Sequence, residues 1–365
     1  MKIIWFTWKD ITHPRSGGAE FLGDRIATKL VEEGHEIIFI TSNYKGAKKT
    51  EIHNGYKIIR IGNRYTVYLE ALLYYKKHLE CWADQIIEEI NTIPFMTQLY
   101  VKEKRVLLVY QLCREIWFYE TFFPLNLFGY LIEPVYLWLL RNNKVLTESQ
   151  STKDDLQKYG FKKENISIFP ICTDIKSLKS MSEKITYKRP TVLSLGAIRS
   201  MKNTLDQIKA FELAKNEIPE LQMKVAGKLI GEYGKKVMDY IENSKYKSDI
   251  EYLGPVTLEQ KIELMRKSHL LLVTSVKEGW GLIVTEAATQ GTPAIVYDVD
   301  GLRDNVKNKE FIVNPDPRSL SVGIINYFNN LSKYKDYQKK LLKDTSNYSI
   351  KCSYDEFFNN LHAIS

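Results

Sequence analysis

The stretch VTSVKEGWGLIVTEAATQGTPAIVYD, residues 273–298, contains two short apolar runs separated by a glycine-containing loop and a helical pattern. The first run ends near Ser275, and Gly291 and Pro293 end the helix before the second run begins. A strand, a loop, a helix and a second strand in this order are typical of a parallel sheet. Ligands bind beyond the carboxyl ends of such strands. The stretch therefore predicts an α/β fold with a ligand site in the loop before the helix.

The residue types in this loop indicate what the ligand is. Gly279 and Gly281 leave bare backbone at a helix N-terminus, where unpaired N–H groups and the helix dipole favour a diphosphate. Glu278 lies in the loop and Glu286 in the second helical turn. Carboxylates accept hydrogen bonds from hydroxyl groups, so we expect sugar and ribose hydroxyls as their partners. The alternative interpretation is two solvated glutamates on an amphipathic helix.

Short apolar runs alternate with amphipathic stretches along the whole chain, which predicts repeated β-α units. Strands are predicted at 3–8, 36–42, 56–62, 105–112, 144–149 and 166–171, and again at 191–196, 221–227, 250–254, 269–275, 293–298 and 310–314. Helices are predicted at 18–33, 65–80, 125–140, 150–159, 204–215, 257–267 and 282–290.

A charged connector without a strand pattern, KSLKSMSEKITYKRP, separates the two halves and ends at Pro190. We therefore expect two facing Rossmann-like domains with parallel sheets and a cleft between them. The first domain is predicted at 1–175 and the second at 186–345, with a C-terminal helix at 352–365 that packs back on the first.

Composition narrows the class of protein. The chain has 365 residues, 44% of them hydrophobic and 26% charged, and a net charge of +8. This surplus is too dilute for dedicated nucleic-acid binding. Its four cysteines show no metal-ligand spacing, which indicates a reduced cytoplasm and no metal site. The start MKIIWFTWKD is too short an apolar run for a signal peptide or membrane span.

A second loop, in LGAIRSMKNTL at residues 195–205, also lies between a strand and a helix. Lys202 is placed to neutralise a diphosphate leaving group. Arg199 could supply a second cation, although a lone loop arginine is often simply solvated. Gly196 leaves the backbone open at the strand end.

A third loop lies in HPRSGGAEFLG, after the first strand. Gly17 and Gly18 open a helix, so bare backbone can approach a donor from the first domain. Two glycines before a helix are weak evidence alone.

The spacing of Glu278 and Glu286 and the run EGWGLIVTEAATQGTPAI resemble family 4 glycosyltransferases, which have the GT-B fold, and the resemblance covers nearly the whole chain. It implies that Glu278 contacts donor-sugar hydroxyls, that Glu286 holds the ribose, and that the backbone of Trp280, Gly281, Leu282 and Ile283 holds the diphosphate. It also implies a retaining, metal-independent hexosyltransferase without a cofactor, in which a leaving-phosphate oxygen takes the acceptor proton.

The resemblance further implies that the second domain binds a nucleotide sugar and the first a glycan or lipid-linked glycan acceptor, in the assembly of cell-surface polysaccharide or glycoconjugate. The base, the sugar and the linkage stay open. The expected location is the cytoplasm, with peripheral contact at the cytoplasmic face of the membrane left open.

Two positions depart from the family pattern. Family members often carry an arginine directly after the glycine of the second loop, and this chain has Ala197 there, so Arg199 is the proposed replacement. Relatives often have a histidine where this chain has Tyr110. Tyr110 or Gln111 could contact the donor sugar instead.

Residues 121–140, TFFPLNLFGYLIEPVYLWLL, are strongly apolar but are interrupted by Glu133 and two prolines. They predict either a helix buried in the first domain or an interfacial patch that contacts lipid. This region, with Arg114 and Glu115 just before it, is the expected acceptor side.

Other functions within the same fold stay open at this stage. A catalytically inactive nucleotide-sugar-binding subunit or a sugar-nucleotide epimerase would share the GT-B fold. A dehydrogenase is disfavoured, because no GxGxxG follows a strand with an acidic residue about twenty residues later.

Overall fold

The computed structural model describes residues 1–363, and these form two compact units. The N-terminal unit contains Met1–Cys172 and the chain after Ile350, and the C-terminal unit contains Thr173–Ser349. Each unit has its own sheet with helices packed on it. The predicted α/β architecture with two parallel sheets is confirmed.

The N-terminal sheet has eight strands in the order β3-β4-β2-β1-β5-β6-β7-β8, and all pair in parallel except β3 with β4. They are β1 Lys2–Phe6, β2 Glu36–Ser42, β3 Thr50–His53, β4 Tyr56–Ile61, β5 Gln85–Ile90, β6 Lys104–Val109, β7 Val145–Thr147 and β8 Ile166–Ile168. The antiparallel hairpin of β3 and β4 turns at Asn54 and Gly55, which both have positive φ, as a two-residue turn of this kind requires.

Five helices connect these strands: α1 Gly18–Glu32, α2 Val67–His78, α3 Ile116–Glu120, α4 Leu125–Leu140 and α5 Gln150–Lys158. Helices α2 and α4 pack on the same face of the sheet. Val67 of α2 shares a core with Ile86 of β5, and Leu137 of α4 shares a core with Leu107 of β6. The register of β5 with β6 places Ile86 and Leu107 on one face, because Leu107 pairs with Glu88, and Ile86 lies two positions from Glu88 on the same strand.

Strand β5 is absent from the sequence-based prediction, although all six of its residues are buried. Its sequence QIIEEI contains two glutamates, which break the apolar run that marks a central strand. Both carboxylates accept hydrogen bonds, Glu89 from the Trp5 indole at 3.1 Å. Glu88 accepts hydrogen bonds from the backbone N–H groups of Met96 and Thr97, at 2.8 and 2.9 Å.

The C-terminal sheet has six parallel strands in the order β11-β10-β9-β12-β13-β14. They are β9 Thr191–Leu195, β10 Gln222–Ala226, β11 Ile250–Gly254, β12 Leu270–Val273, β13 Ala294–Tyr297 and β14 Ile312–Val313. The helices of this unit are α6 Thr204–Lys215, α7 Gly231–Glu242, α8 Leu258–Lys267, α9 Leu282–Thr289, α10 Leu302–Asn305, α11 Pro317–Asn329 and α12 Leu331–Asp344.

The connector belongs to the C-terminal unit, which begins at Thr173, upstream of the predicted start at 186. Lys184 is the reason. Its Nζ lies 2.8 Å from the carbonyl oxygen of Arg266, 3.1 Å from that of Ser268 and 3.2 Å from that of Gln290. These contacts satisfy carbonyl groups near the ends of α8 and α9 and fix the connector to this unit.

The last helix, α13, covers Ile350–Ala363 and packs within the N-terminal unit. The ring of Phe357 stacks on Trp5 of β1, with centroids 5.8 Å apart. The last two residues of the helix predicted at 352–365 lie outside the described residues. Across residues 1–363, the helices are all too short or too polar to cross a membrane.

Candidate functional site

The carboxyl end of β12 leads into the loop that carries Glu278. Ser275 donates a hydrogen bond to Oε1 of Glu278 at 2.6 Å. Lys202 contacts the same carboxylate oxygen. The two side chains are therefore brought together, although 75 residues separate them in the sequence.

This meeting depends on strand order. Strands β9 and β12 are neighbours in the sheet, so the loops after them leave the same edge side by side. The Val276 N–H donates to the carbonyl oxygen of Met201 at 2.9 Å, and the Thr274 hydroxyl donates to that of Lys202 at 3.0 Å. These bonds tie the Lys202 loop to the Glu278 loop.

Arg199 begins the short 3-10 turn that contains Lys202, and its carbonyl oxygen accepts the Lys202 N–H at 2.9 Å. Its side chain is half-buried, whereas Gly196 and Ala197 are exposed at the end of β9. Gly196 has φ +134°. Arg199 and Lys202 thus belong to one compact loop, as the sequence predicted.

The start of α9 is the predicted diphosphate site. Gly281 precedes the helix with φ +78°, and the first-turn N–H groups at Leu282 and Ile283 have no partners one turn earlier in the helix. The Trp280 indole is fixed away from this position, since its Nε1 donates to the Thr285 hydroxyl at 2.8 Å. Backbone donors, rather than the indole, are therefore the groups presented here.

Asn305, at the end of α10, was not identified from the sequence. Its Nδ2 donates to the carbonyl oxygens of Trp280 and Gly281 at 3.1 and 3.2 Å. The Asn305 side chain therefore fixes the loop that precedes α9. A single asparagine near a helix end carries no sequence signal for such a role.

Glu286 lies in the second turn of α9 and is largely buried. Lys261 of α8 contacts both of its oxygens, at 2.7 and 2.6 Å. Burial raises the pKa of Glu286 above its usual value, although Lys261 opposes this. Lys261 was not identified from the sequence, because it is one of many surface lysines and is far from the motif.

The backbone of Gly301 packs directly against the Glu278 loop. It has φ +78°, and a Cβ at this position would lie 2.2 Å from the carbonyl oxygen of Glu278 and 2.6 Å from that of Gly279. We expect Gly301→Ala to displace the loop and so to weaken nucleotide-sugar binding. The free energy of unfolding should fall by more than the ~1 kcal/mol that positive-φ strain alone would cost. Thermal unfolding and titration calorimetry measure both effects.

Gly34→Ala is the matched control. Gly34 has φ +86° and no atom within 4 Å of its Cβ position, so it carries the backbone strain without the contact. Equal losses in the two variants would contradict the close-contact explanation.

In the N-terminal unit, the Gly17–Gly18 backbone is exposed and held by Glu20. The Gly17 N–H donates to Oε2 of Glu20 at 2.6 Å, and Lys9 lies 3.1 Å from Oε1. Lys9 also donates to the carbonyl oxygen of Arg15 at 3.0 Å. The glycine loop is therefore fixed by a buried carboxylate that the sequence analysis did not identify.

These loops match a known family. The family described as Glycosyltransferase Family 4 matches residues 16–177, and that described as Glycosyl transferases group 1 matches residues 176–344. The two matches adjoin and run through both units. The chain belongs to glycosyltransferase family 4.

Individual relatives of this family 4 member are distant. The poly(glycerol-phosphate) alpha-glucosyltransferase of Bacillus subtilis is 28% identical over 208 residues, which is 56% of this chain and 30% of that protein. The chain therefore spans well under two thirds of the length of this relative.

Solved structures share the whole fold. Sucrose-phosphate synthase from Thermosynechococcus elongatus has a TM-score of 0.80 at 16% identity, over 100% of both chains. HepE of Anabaena, in complex with UDP-glucose, has a TM-score of 0.73 at 16% identity, again over 100% of both chains. At these identities the likeness shows the fold alone. The predicted GT-B fold is confirmed.

This family 4 member has a buried tyrosine, Tyr110, at the position where the resemblance implied a histidine. The Tyr110 hydroxyl donates to the carbonyl oxygen of Ala19 at 3.3 Å. Burial, and then the carboxylates of Glu89, Glu148 and Glu20, raise the pKa of the phenol well above its usual value. The phenol is therefore a neutral donor held inside the unit, close to the glycine loop.

The other residues of the predicted acceptor side have separate surroundings. Gln111 is half-buried, and its Oε1 has no hydrogen-bond partner within residues 1–363. Arg114 donates to the carbonyl oxygen of Tyr130 at 3.1 Å, and its backbone N–H donates to Glu133 at 2.6 Å. Glu115 is exposed. Arg114 thus braces α4, whereas the buried Gln111 oxygen has no donor among the described residues.

We expect Glu89 to make the stability of this family 4 member depend on pH. Burial, followed by the charge of Glu20, raises the pKa of Glu89 to about 8. A carboxyl whose pKa is raised in the folded state stabilises that state fully at pH values below its unfolded pKa of about 4.3. The stabilisation is lost as the pH rises to the folded pKa of about 8. We therefore expect the melting temperature of Glu89→Gln, relative to wild type, to rise between pH 5 and 8.5.

Differential scanning fluorimetry across this range checks the prediction, with the exposed Glu36→Gln as control. A constant difference between Glu89→Gln and wild type would show that Glu89 is ionised throughout.

Proposed function

We propose that the protein is a retaining glycosyltransferase that moves a hexose-type sugar from a nucleoside diphosphate sugar to a glycan or lipid-linked glycan. The observation that carries the proposal is the meeting of Lys202 and Glu278 beside the N-terminus of α9. One cation and one carboxylate next to open backbone donors suit a diphosphate joined to a polyhydroxyl group.

Each group has a separate role in this proposal. Lys202, with Arg199 beside it, neutralises the diphosphate, and the backbone at Gly279–Ile283 donates to its oxygens. Glu278 accepts hydrogen bonds from the sugar hydroxyls. Glu286, oriented by Lys261, holds the ribose. Gly196 gives the donor access to bare backbone at the end of β9.

The contact between Lys202 and Glu278 suggests how binding is coupled to chemistry. Without a donor the two charges neutralise each other. A diphosphate offers Lys202 a more highly charged partner, which releases carboxylate lone pairs of Glu278 for hydroxyl groups. Lys202 then lies next to the leaving group, and the Glu278 carboxylate lies next to the sugar hydroxyls.

In the transfer step the bond between the sugar C1 and the diphosphate oxygen breaks, and the acceptor oxygen bonds to C1 on the same face. The acceptor proton goes to an oxygen of the leaving nucleoside diphosphate. Lys202 stabilises the negative charge that develops there. The step needs no protein nucleophile and no metal ion in this proposal.

For the acceptor, the name of the Bacillus relative specifies a poly(glycerol-phosphate), a polymer acceptor. This supports a role in cell-surface polysaccharide or glycoconjugate assembly. The buried Tyr110 favours a second candidate, a subunit that binds nucleotide sugars without transferring them.

The test is incubation with UDP-, GDP- and ADP-sugars, with and without lipid-linked and soluble glycans, with nucleotide release as the readout. We expect release with one donor, increased by acceptor, and NMR of the product shows whether the anomeric configuration is retained. Binding without release would favour the second candidate, and acceptor-independent conversion of the donor would favour an epimerase. Absence of binding to every donor would contradict the proposal.

A further inference from the structure

The outer surface of α4 is apolar, which distinguishes it from an ordinary surface helix. Its inward face buries Gly129, Glu133, Tyr136, Leu137 and Leu140. The sequence left open whether residues 121–140 form a buried helix or an interfacial patch. In the structure, α4 has one buried face and one exposed face along its length. One face is core, and the other is exposed.

The exposed side chains form one stripe along α4. Phe128, Leu131, Val135 and Trp138 are spaced by three, four and three residues, so they share a helix face, and they are 64%, 61%, 50% and 55% exposed. Glu133 is the single charged residue in the sequence from 121 to 140. Its side chain is 1% exposed and accepts the Cys113 N–H at 2.7 Å. The outer face of α4 therefore presents mainly apolar groups and no charged side chain.

The apolar surface continues beyond α4. The Gln98 amide donates to the carbonyl oxygen of Leu139 at 3.3 Å, which places the turn Thr97–Leu99 against α4. Phe95, just before this turn, packs on Tyr68 of α2, with ring centroids 4.9 Å apart. Helix α3 also packs on α4, since the rings of Phe118 and Tyr130 lie 5.3 Å apart. Exposed large apolar side chains occur on these four elements and on the segments just before α2, the turn and α4: Tyr65, Leu69, Leu73, Ile93, Leu99, Phe118, Tyr119, Phe122, Phe123, Leu125, Leu127 and Leu139.

Such a surface calls for a partner. Full burial of one large apolar side chain contributes about 1.5–3 kcal/mol, and large exposed apolar patches mark interaction sites. We call the surface formed by the exposed apolar side chains of α2, the turn Thr97–Leu99, α3 and α4 the apolar face.

Cationic side chains lie beside the apolar face at the C-terminal end of α4. Trp138, Arg141, Lys158 and Tyr159 line an open cavity of about 450 Å³. The Arg141 guanidinium lies 4.0 Å from the centre of the Trp138 ring. Aromatic rings combined with Lys or Arg at the edge of an apolar surface are typical of a water–lipid boundary, where the cations attract anionic headgroups.

We infer that the apolar face binds the surface of an anionic lipid bilayer, with Arg141 and Lys158 contacting headgroup phosphates. Helix α4 lies in the interface and does not span it, because 16 residues extend only about 24 Å and its inner face is protein core. The inference deepens the proposed function, on which its significance for a lipid-linked acceptor rests. Lipid binding itself requires no transfer activity.

Vesicle sedimentation tests the inference. We expect the whole protein to bind vesicles of phosphatidylcholine with phosphatidylglycerol, and to bind pure phosphatidylcholine more weakly. The triple variant Phe128→Ser/Leu131→Ser/Trp138→Ser should lose about tenfold or more of this affinity. Arg141→Gln/Lys158→Gln should lose the preference for the anionic lipid and much of the salt dependence.

Leu213→Ser/Val322→Ser/Leu331→Ser is the matched control, since it removes three exposed apolar side chains from the C-terminal unit. It should bind vesicles like wild type. Circular dichroism and calorimetric binding of the nucleotide sugar establish that each variant is folded. Intact donor binding without vesicle binding by the wild-type protein would overturn this inference and leave the proposed function standing.

A second copy of the chain is the other occupant to test. Light scattering would then show a dimer that the triple serine variant dissociates, together with no vesicle binding. That result would also overturn the inference.

Discussion

Lys202→Ala is expected to lower kcat about 10²–10³-fold, because it removes the cation placed to stabilise the departing diphosphate. KM for the donor should rise much less, since the backbone at the start of α9 still binds the phosphates. Steady-state nucleotide release with saturating acceptor measures both constants. Lys202→Arg should retain part of the activity, because it keeps a positive charge on the same loop.

Glu278→Ala should also abolish most transfer, for a different reason. It removes the proposed acceptor of sugar hydroxyl hydrogen bonds, so both kcat and donor affinity should fall. Since Lys202 and Glu278 contact each other, we expect the double variant to lose less than the product of the two single losses.

Lys209→Ala is the matched control for both variants, because Lys209 is exposed on α6, which follows the Lys202 loop. It should leave kcat within about twofold of wild type, as is usual for surface substitutions away from a site. Full transfer by Lys202→Ala or Glu278→Ala, with the protein folded, would refute the assignment of the site.

Arg60→Met is expected to reduce the free energy of unfolding of the N-terminal unit by about 3–5 kcal/mol. The side chains of Arg60 and Asp10 are fully buried, with Nε 2.8 Å from Oδ2. The same guanidinium contacts Glu51 at 2.6 Å and the Thr12 hydroxyl at 2.8 Å. Its removal leaves the buried Asp10 carboxylate with hydrogen bonds from Thr12 but without a cation to balance its charge.

Hydrogen exchange followed by mass spectrometry measures this effect on peptides of β1 and β4, so that the C-terminal unit does not obscure it. Asp10→Asn combined with Arg60→Met should recover part of the loss, because no unpaired charge remains. Lys76→Met, which breaks a partly exposed pair with Glu80 in the same unit, should cost about 0–1 kcal/mol. Equal costs for Arg60→Met and Lys76→Met would contradict the burial argument.

The same pair predicts the response to acid. Burial alone would raise the pKa of Asp10, but Arg60 and Thr12 hold it below its usual value. A carboxyl with a lowered pKa stabilises above its unfolded value of about 3.9 and loses that stabilisation as pH falls below it. Arg60→Met should therefore flatten the acid side of the stability profile.

The loops that carry the candidate site could be predicted from the sequence because their signals are local. Gly281 has the positive φ that a turn before α9 requires, and Lys202 and Glu278 each follow an apolar strand. Their side chains meet, however, only because β9 lies beside β12, and the sequence does not specify the order of strands in a sheet.

Lys261 and Glu20 show what such reasoning could not find. Lys261 reaches Glu286 from another helix, and Glu20 holds the glycine loop from inside the unit. Each is a common residue type at an ordinary helical position. Strand β5 was missed for a related reason, since backbone donors outside the strand, at Met96 and Thr97, stabilise its buried Glu88.

The sequence alone determined the two α/β units, most of their strands and helices, and the loops at which Lys202, Glu278 and Glu286 lie. These features depend on the period of apolar residues and on backbone freedom at glycine, which act over a few positions. Only the tertiary structure decided that Tyr110 is buried among carboxylates, that Lys261 pairs with Glu286, and that α4 is half core and half exposed. Those outcomes depend on which elements pack together, and packing joins residues that are far apart in the chain.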